Sequence, residues 1–254
     1  MLAAIQVTYT IGKHTLVDDV SLEINAGEVV AIIGANGAGK TTLLRLLSGE
    51  LNPTQGSIQL DGQPLESYRA RDLARQRAMM RQHVYMNFDF TAYEVVMMGR
   101  HPHIRGGETP KDHQIVCEML RQTESSHLSD QLYATLSGGE KSRVTLSRVL
   151  AQQTPILMLD EPTSAMDLRH QQLTMRLVRR LADDGGAVVA VLHDLNLAAM
   201  YADRVAMMVG GRLFLIDEPT IALTADNIEK VFSMQVEVIS HPSQPCPLIV
   251  PMMP

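Results

Sequence analysis

Cysteine is scarce in this chain, and its scarcity argues against a disulfide scaffold. The 254 residues include two cysteines, Cys117 and Cys246, which lie far apart and in no spacing typical of a metal site. A protein that depends on neither disulfides nor zinc fits a reducing compartment, with the cytoplasm as the default.

Long hydrophobic runs and a leader segment are also lacking. No run reaches the roughly 18 apolar residues that a spanning helix needs. Met1 to Tyr9 carries no basic stretch followed by an apolar core. If the protein works at a membrane, we therefore expect a partner to supply the span.

Positive charge is in short supply. The chain has 22 Lys and Arg against 28 Asp and Glu, which gives a net charge of -6. Proteins that bind nucleic acid draw affinity from basic side chains that neutralise phosphates. The charge balance therefore argues against a nucleic-acid partner.

What is present is the alternation of strands and helices of an α/β protein. Val29 to Ile33, Ile156 to Leu159 and Ala187 to Leu192 are apolar throughout, as strands buried on both faces of a parallel sheet are. A helical pattern from Leu168 to Leu181 separates the last two runs, which is typical of a βαβ unit. From about Ala70 to Leu150 the pattern is mainly helical, so we predict one α/β core interrupted by a helical insertion.

Two further regions flank this core. Short strand-like runs from Ala3 to Thr10 and from Val20 to Ile24 precede it. The tail from His241 to Pro254 contains five prolines and is predicted to be an irregular extension.

A glycine-rich loop joins the strand Val29 to Ile33 to a predicted helix from Thr41 to Ser48. It matches the pattern G-x-x-x-x-G-K-[ST], with the residues Gly34, Ala35, Asn36, Gly37, Ala38, Gly39, Lys40 and Thr41, followed by Thr42. In such a loop main-chain N–H groups surround the phosphates of ATP, the lysine reaches the β and γ phosphates, and the threonine hydroxyl binds Mg²⁺. A glycine-rich turn that matches by chance is the alternative, and the flanking strand and helix favour the nucleotide site.

Two acids, Asp160 and Glu161, follow the apolar strand Ile156 to Leu159. Ligands gather at the carboxyl ends of parallel strands, so Asp160 is expected near the glycine-rich loop, where it can hold Mg²⁺. Glu161 is then placed to orient a water. A solvated acidic turn is the alternative for this motif taken alone.

The tetrapeptide that begins at Asp160 occurs a second time, as Asp217-Glu218-Pro219-Thr220. Its context differs, because Asp160 closes an apolar run and Asp217 follows Gly210 and Gly211. We therefore assign Asp217 and Glu218 to a surface turn.

A third motif consists of Leu136, Ser137, Gly138, Gly139 and Glu140, at the start of a predicted helix. It would expose amide groups at a second helix N-terminus suited to a phosphate, although a flexible cap explains it equally well when taken alone. The order of the three motifs resembles the ATP-binding cassette (ABC) ATPases, and the resemblance runs from about Tyr9 to Phe232.

The resemblance implies further site residues. Gln82 matches the glutamine that links Mg²⁺ and the attacking water to the helical subdomain, and His193 matches the histidine that contacts the γ phosphate. Tyr9 matches the aromatic residue that stacks on adenine, and Ser164 to Asp167 resembles the loop after the catalytic glutamate. Without the resemblance, Gln82 would be a surface amide, His193 a strand-end histidine and Tyr9 a half-buried edge residue.

The resemblance also implies the fold and its divisions. We expect a P-loop NTPase core with a parallel sheet, a small antiparallel β-subdomain and an inserted helical subdomain, all within one ABC ATPase domain. The core with its β-subdomain would comprise residues 1–82 and 153–225, the helical subdomain with the third motif residues 83–152, and a C-terminal extension residues 226–254.

Shorter segments resemble the importers of iron complexes and vitamin B12, most closely the haemin importer ATPases. These segments are Phe88 to Thr91, Glu94 to Val96, Gly99 to His103 and Pro247 to Pro251. Arg81 departs from that group, which usually has proline there. The alternatives are a ferric-siderophore or cobalamin importer, an exporter subunit, a nucleotide-binding regulator without catalysis, and an ABC ATPase that transports nothing.

Partners and location follow from the resemblance too. It implies a head-to-tail dimer in which ATP lies between Lys40 of one copy and Ser137 to Gly139 of the other. It also implies membrane permease subunits, a periplasmic substrate-binding protein as an indirect partner, and a peripheral position on the cytoplasmic face of the inner membrane.

Two basic features suggest other functions, which we reject. His101 and His103 flank a proline, and a surface turn of this kind needs no haem ligand, since the cargo of such a system crosses through the permease. The second feature is interpreted as a solvated face rather than a nucleic-acid or lipid patch, and consists of Arg69, Arg71, Arg75, Arg77 and Arg81.

Overall fold

A computed structural model describes residues 1–82 and 89–252. Phe88, one of the residues that resembles the haemin importer group, lies outside the described residues. The strands in chain order are β1 (Leu2–Ile11), β2 (His14–Ile24), β3 (Val29–Gly34), β4 (Gln55–Leu60), β5 (Gln63–Pro64), β6 (Arg77–Met80), β7 (Ile156–Asp160), β8 (Ala187–Val191), β9 (Arg204–Val209), β10 (Arg212–Asp217), β11 (Val236–Ser240) and β12 (Pro247–Pro251).

The α-helices lie between these strands and bury one face each. In chain order they are α1 (Lys40–Leu47), α2 (Ala70–Gln76), α3 (Ala92–Met97), α4 (Pro110–Gln122), α5 (Gly138–Ala151), α6 (Leu168–Asp183), α7 (Leu195–Tyr201), α8 (Pro219–Ala222) and α9 (Ala225–Phe232). Within residues 1–82 and 89–252, we find no helix with the length and apolar character needed to cross a membrane.

The central sheet has the strand order β10-β9-β3-β8-β7-β6. Strands β6, β7, β8, β3 and β9 run parallel, and β10 pairs antiparallel with β9. Every residue of β3, β7 and β8 is buried, which confirms the prediction from their apolar sequences. The carboxyl ends of these three strands therefore meet at one edge of the sheet.

Each face of the central sheet is covered by a separate hydrophobic core. Val29, Ala31 and Ile33 of β3 pack into the core with α6 and α7, whereas Val30 and Ile32 pack into the core beneath α1. This alternation follows from the two-residue period of a strand. The second core is closed by an antiparallel sheet of order β2-β1-β4-β5.

The inserted helices α3, α4 and α5 form a third core of their own. Inside it the buried Arg100 Nε donates to Asp112 Oδ1 at 3.0 Å. Hydrogen bonds from Thr109, and then the Arg100 guanidinium, hold the pKa of Asp112 at about 2. Arg100 Nη1 also donates to the carbonyl of Ala151 at 2.7 Å, which ties the start of the insertion to the end of α5.

The basic stretch before the insertion is largely a solvated face, as interpreted from the sequence: its members are exposed except for Arg75 and Arg77, which are half-buried. Arg71 Nε and Arg75 Nε donate to the carbonyl oxygen of Pro102 at 3.0 and 2.9 Å. His103 Nε2 lies 2.8 Å from the carbonyl oxygen of Gln152. Some of these side chains also join the core to the insertion, because an exposed guanidinium group can still donate to main-chain carbonyls.

One prediction was wrong, and one short strand was not predicted. Strand β6 lies in the segment predicted to be mainly helical, which otherwise contains the helices α2, α3, α4 and α5. Strand β12 lies in the tail predicted to be irregular, where it pairs in register with β11 from Pro247 opposite Ser240 to Pro251 opposite Val236. Its two prolines stand at the strand ends, where a missing N–H costs the ladder little.

Candidate nucleotide site

The glycine-rich loop connects β3 to α1 at the carboxyl edge of the central sheet. Gly39 has φ +95°, and a Cβ there would collide with the carbonyl oxygen of Leu16. Gly34 is also closed to larger residues, because a Cβ there would meet the carbonyl oxygen of Met208. The loop therefore needs glycine at both positions to curl ahead of the helix N-terminus, where N–H groups without a helical acceptor suit an anion.

Lys40 begins α1, and its side chain turns back into the loop. Only 6% of the residue is exposed, and its Nζ donates to the carbonyl oxygens of Gly34 and Ala35 at 2.8 and 3.0 Å. Burial lowers the pKa of Lys40, while the charges of Glu161 and Asp160 oppose that shift. An ammonium held by main-chain oxygens alone retains its charge for an anionic ligand.

Thr41 and Asp160 meet as the sequence predicts, across the carboxyl ends of β3 and β7. Thr41 Oγ1 donates to Asp160 Oδ1 at 3.1 Å, and Asp160 is 3% exposed. Burial raises the pKa of Asp160, the Thr41 bond lowers it, and the charge of Glu161 raises it further. A hydroxyl beside a buried carboxylate is the hard oxygen set that Mg²⁺ prefers, so these residues fit the predicted ion.

Replacing Asp160 by Asn removes this buried charge and keeps an oxygen that accepts the Thr41 bond. Burial is the largest influence on the Asp160 pKa, and it disfavours the ionised form in the folded protein. We therefore expect metal-free Asp160→Asn to melt about 2 to 4 °C above the native protein, which is about 1 kcal/mol at this size. Calorimetry at neutral pH measures the difference, and Asp217→Asn in the repeated tetrapeptide should shift it little. A lower melting temperature for Asp160→Asn would contradict the argument.

Glu161 is the meeting point of two residues that are distant in sequence. Gln82 Nε2 donates to Glu161 Oε2 at 2.5 Å, and His193 Nε2 contacts Glu161 Oε1. Glu161 itself has φ +51°, a left-handed conformation that costs a residue with a side chain about 1 kcal/mol or more. The carboxylate is thus held in a strained turn directly after the strand that carries Asp160.

The loop and Glu161 line one open cavity of about 220 Å³. Its lining comprises Leu16, Asn36, Gly37, Gly39, Lys40, Thr41, Thr42 and Glu161. Sequence reasoning missed Leu16, because an exposed leucine in a strand carries no chemical signal.

The repeated acids lie elsewhere: Asp217 pairs with Val205 near the amino end of β9, at the opposite edge of the sheet. Glu218 is exposed, as the surface-turn assignment predicts, whereas Asp217 is half-buried and is the last residue of β10 rather than part of a turn.

The third motif does not join this cavity within the same chain. Ser137 caps α5, its Oγ donates to Glu140 Oε2 at 2.6 Å, and Glu140 in turn accepts the Ser137 N–H at 2.9 Å. These bonds lower the pKa of Glu140. Gly138 and Gly139 form the first turn of α5, so their N–H groups have no acceptor within the helix.

Three other residues that the sequence analysis named make contacts within the chain. Asp167 caps α6 and accepts hydrogen bonds from the N–H and Nδ1 of His170 at 2.9 and 2.8 Å. Tyr9 pairs with Val17 and is half-buried against the second core. Arg81, the departure from proline, donates through Nε to Glu50 Oε1 at 2.9 Å, which explains how this loop accommodates an arginine. The ligand roles of Tyr9 and Asp167 stay predictions.

Known protein families include one that matches more than half of this chain. The family model described as ABC transporter matches residues 17–164. The chain belongs to the ABC transporter family. As a member it is an ATPase whose hydrolysis of ATP powers transport.

Relatives in this family match along nearly the whole chain. The hemin import ATP-binding protein HmuV of Gloeobacter violaceus is 46% identical over 99% of this chain and 94% of its own. The protein of the same name from Nocardia farcinica is 47% identical over 93% of this chain and 82% of its own.

Solved structures of the family share the fold. A structure described as the inward-facing conformation of a metal-chelate type ABC transporter is 25% identical, with a TM-score of 0.84 over 99% of this chain and 97% of that one. The dimeric cassette MJ0796 bound to ADP and Pi is 27% identical, with a TM-score of 0.78 over 86% of this chain and 98% of that one. These likenesses confirm the α/β ABC ATPase fold predicted from the motif order.

Proposed function

We propose that this chain is the ATP-hydrolysing subunit of a bacterial importer for haemin. The observation that carries the proposal is the convergence of Gln82 and His193 on Glu161, beside the pair of Thr41 and Asp160. This arrangement unites a phosphate loop, a metal-binding pair and a polarising carboxylate at one edge of the sheet.

In this proposal the loop binds ATP. The N–H groups of residues 34–42 and the N-terminus of α1 surround the phosphates, and Lys40 transfers its hydrogen bonds from Gly34 and Ala35 to the β and γ phosphates. Thr41, Asp160 and the amide oxygen of Gln82 would hold Mg²⁺, which would supply positive charge to offset that of the phosphate oxygens.

Hydrolysis depends on Glu161. Its carboxylate orients and polarises the attacking water, while His193 steadies the γ phosphate in line with it. Gln82 donates to the same carboxylate and precedes the helical insertion, so it links the state of the site to that insertion. Tyr9 stacks on the adenine in this proposal.

A second copy completes the site. In this proposal the first-turn amides of Gly138 and Gly139, with Ser137, bind the γ phosphate held by the other copy, Glu140 orients Ser137, and Asp167 lies in the same interface. The dimeric cassettes among the related structures support this arrangement. In this proposal ATP joins the two copies, and hydrolysis releases them.

The cargo proposal rests on the relatives. Curated proteins at 42 to 47% identity carry the name hemin import ATP-binding protein. We propose that permease subunits carry haemin through the membrane, that a periplasmic binding protein delivers it, and that this chain acts on the cytoplasmic face. A ferric-siderophore or cobalamin cargo, and an ABC ATPase without transport, are the competing assignments.

Reconstitution with the co-purifying permease in lipid vesicles tests the cargo. We expect haemin, delivered by its binding protein, to raise ATP hydrolysis several-fold above the rate without cargo. Cobalamin and a ferric siderophore serve as matched cargoes, and stimulation by either one in place of haemin would reassign the importer. A chain that hydrolyses ATP but binds no permease would contradict the transport role.

A further inference from the structure

Helix α7 begins two residues after His193, and the C-terminal strand β12 holds its first turn. Asn196 Nδ2 donates to the carbonyl oxygen of Ile249 at 3.1 Å, and Asn196 Oδ1 accepts the N–H of Ile249 at 2.8 Å. One amide side chain thus makes both of the main-chain hydrogen bonds that a neighbouring strand would make. The contact resembles that of two paired strands, and it fixes the position of α7 relative to β12.

The contact is reinforced by packing. Ile249 is 5% exposed and belongs to the same hydrophobic core as Leu197 and Ala198 of α7. On its other edge β12 pairs with β11, where Ile249 stands opposite Val238. Asn196 therefore hydrogen-bonds the main chain on the edge of β12 that faces away from β11.

The path from this contact to the site is short. Asp194 Oδ1 accepts the N–H groups of Asn196 and Leu197 at 2.8 and 3.1 Å, which makes the residues after His193 a capped, rigid turn. At the far end of α7, Tyr201 Oη donates to Gln172 Oε1 at 2.5 Å. The helix is thus fixed at both ends, and β12 fixes the end next to His193.

We propose that Asn196 is a positioning residue for ATP hydrolysis: by docking β12 on the first turn of α7, it holds His193 against Glu161. The inference rests on the proposed function, since it requires that His193 act in hydrolysis. It assigns a role to the proline-rich tail, which carries β12 and, among the residues that the structure describes, does not line the nucleotide cavity.

Kinetics of single variants give the first test. Asn196→Ala should lower kcat for ATP roughly tenfold, because a displacement of about 1 Å at a reacting group costs up to a hundredfold. KM for ATP should stay within about twofold of native, since the phosphate loop is untouched. Asn196→Asp keeps the acceptor for the Ile249 N–H and should recover part of the rate.

Asn227→Ala is the matched control. Asn227 Nδ2 donates to the carbonyl oxygen of Ala222 at 3.1 Å, so the variant removes a similar side-chain contact from the same region, away from His193. It should lower the melting temperature about as much as Asn196→Ala and leave kcat at the native value. Equal kcat losses in the two variants would overturn the proposal.

A double-mutant cycle separates positioning from general damage. In a His193→Ala background, Asn196→Ala should add less than about a twofold loss, because its effect passes through the missing imidazole. The same factor with and without His193 would overturn the inference. A native protein that does not hydrolyse ATP would instead overturn the proposed function itself.

Discussion

A Glu161→Gln protein should bind ATP as tightly as the native protein and hydrolyse it roughly a hundredfold or more slowly. The substitution keeps the size and shape of the side chain, so the cavity and the hydrogen bond that Thr41 donates to Asp160 stay intact. It removes the carboxylate charge on which Gln82 and His193 converge and to which we assign the polarisation of water. In the proposed mechanism hydrolysis releases the dimer, so the variant should also accumulate as an ATP-bound dimer.

Three measurements on one preparation check this expectation. Nucleotide titration gives the affinity, steady-state phosphate release gives kcat, and size-exclusion chromatography with ATP and Mg²⁺ gives the fraction of dimer. Glu218→Gln is a matched control, because it makes the same change in the same Asp-Glu-Pro-Thr sequence at the opposite edge of the sheet. Rapid turnover by Glu161→Gln, or equal losses in both variants, would remove Glu161 from the mechanism.

The two copies of that tetrapeptide show what sequence can and cannot decide. The apolar run before Asp160 predicts a strand buried on both faces, and the structure confirms it in β7. The strand before Asp217 runs antiparallel, so its end lies at the edge away from the glycine-rich loop. Strand direction depends on the chain's path through the whole sheet. The tetrapeptide itself does not indicate this direction, and the residues before it indicate it only indirectly. The strict spacing of the nucleotide motifs, by contrast, is local and was readable directly.

The parts that sequence could not predict depend on distant partners. Strand β6 has four residues, and its pairing with β7 across the whole insertion determines its conformation. Strand β12 lies among prolines, and its ladder is provided by β11 on one side and by Asn196 on the other. The contacts of Arg71 and Arg75 could not be predicted, because the carbonyl of Pro102, which accepts their hydrogen bonds, is remote in sequence.

A Lys40→Ala protein should lose ATP affinity itself, by roughly ten- to a hundredfold. A hydrogen bond to a charged group contributes about 1.5 to 3 kcal/mol, and in the proposed function Lys40 provides such bonds to the β and γ phosphates. The folded protein without nucleotide should be affected much less. Burial lowers the pKa of Lys40, so the charged form is already disfavoured in the empty site, and removing it relieves part of that cost.

Thermal unfolding with and without ATP separates the two effects. Native protein should melt at a higher temperature with saturating ATP, since a ligand that binds only the folded state stabilises it. Lys40→Ala should melt near the native temperature without ATP and lose most of the ATP-dependent rise. Lys230→Ala, an exposed lysine on α9, should keep that rise in full. If Lys40→Ala also kept the ATP-dependent rise in melting temperature, the Lys40 ammonium would only stabilise the loop through the carbonyls of Gly34 and Ala35. The main-chain amides alone would then bind the phosphates.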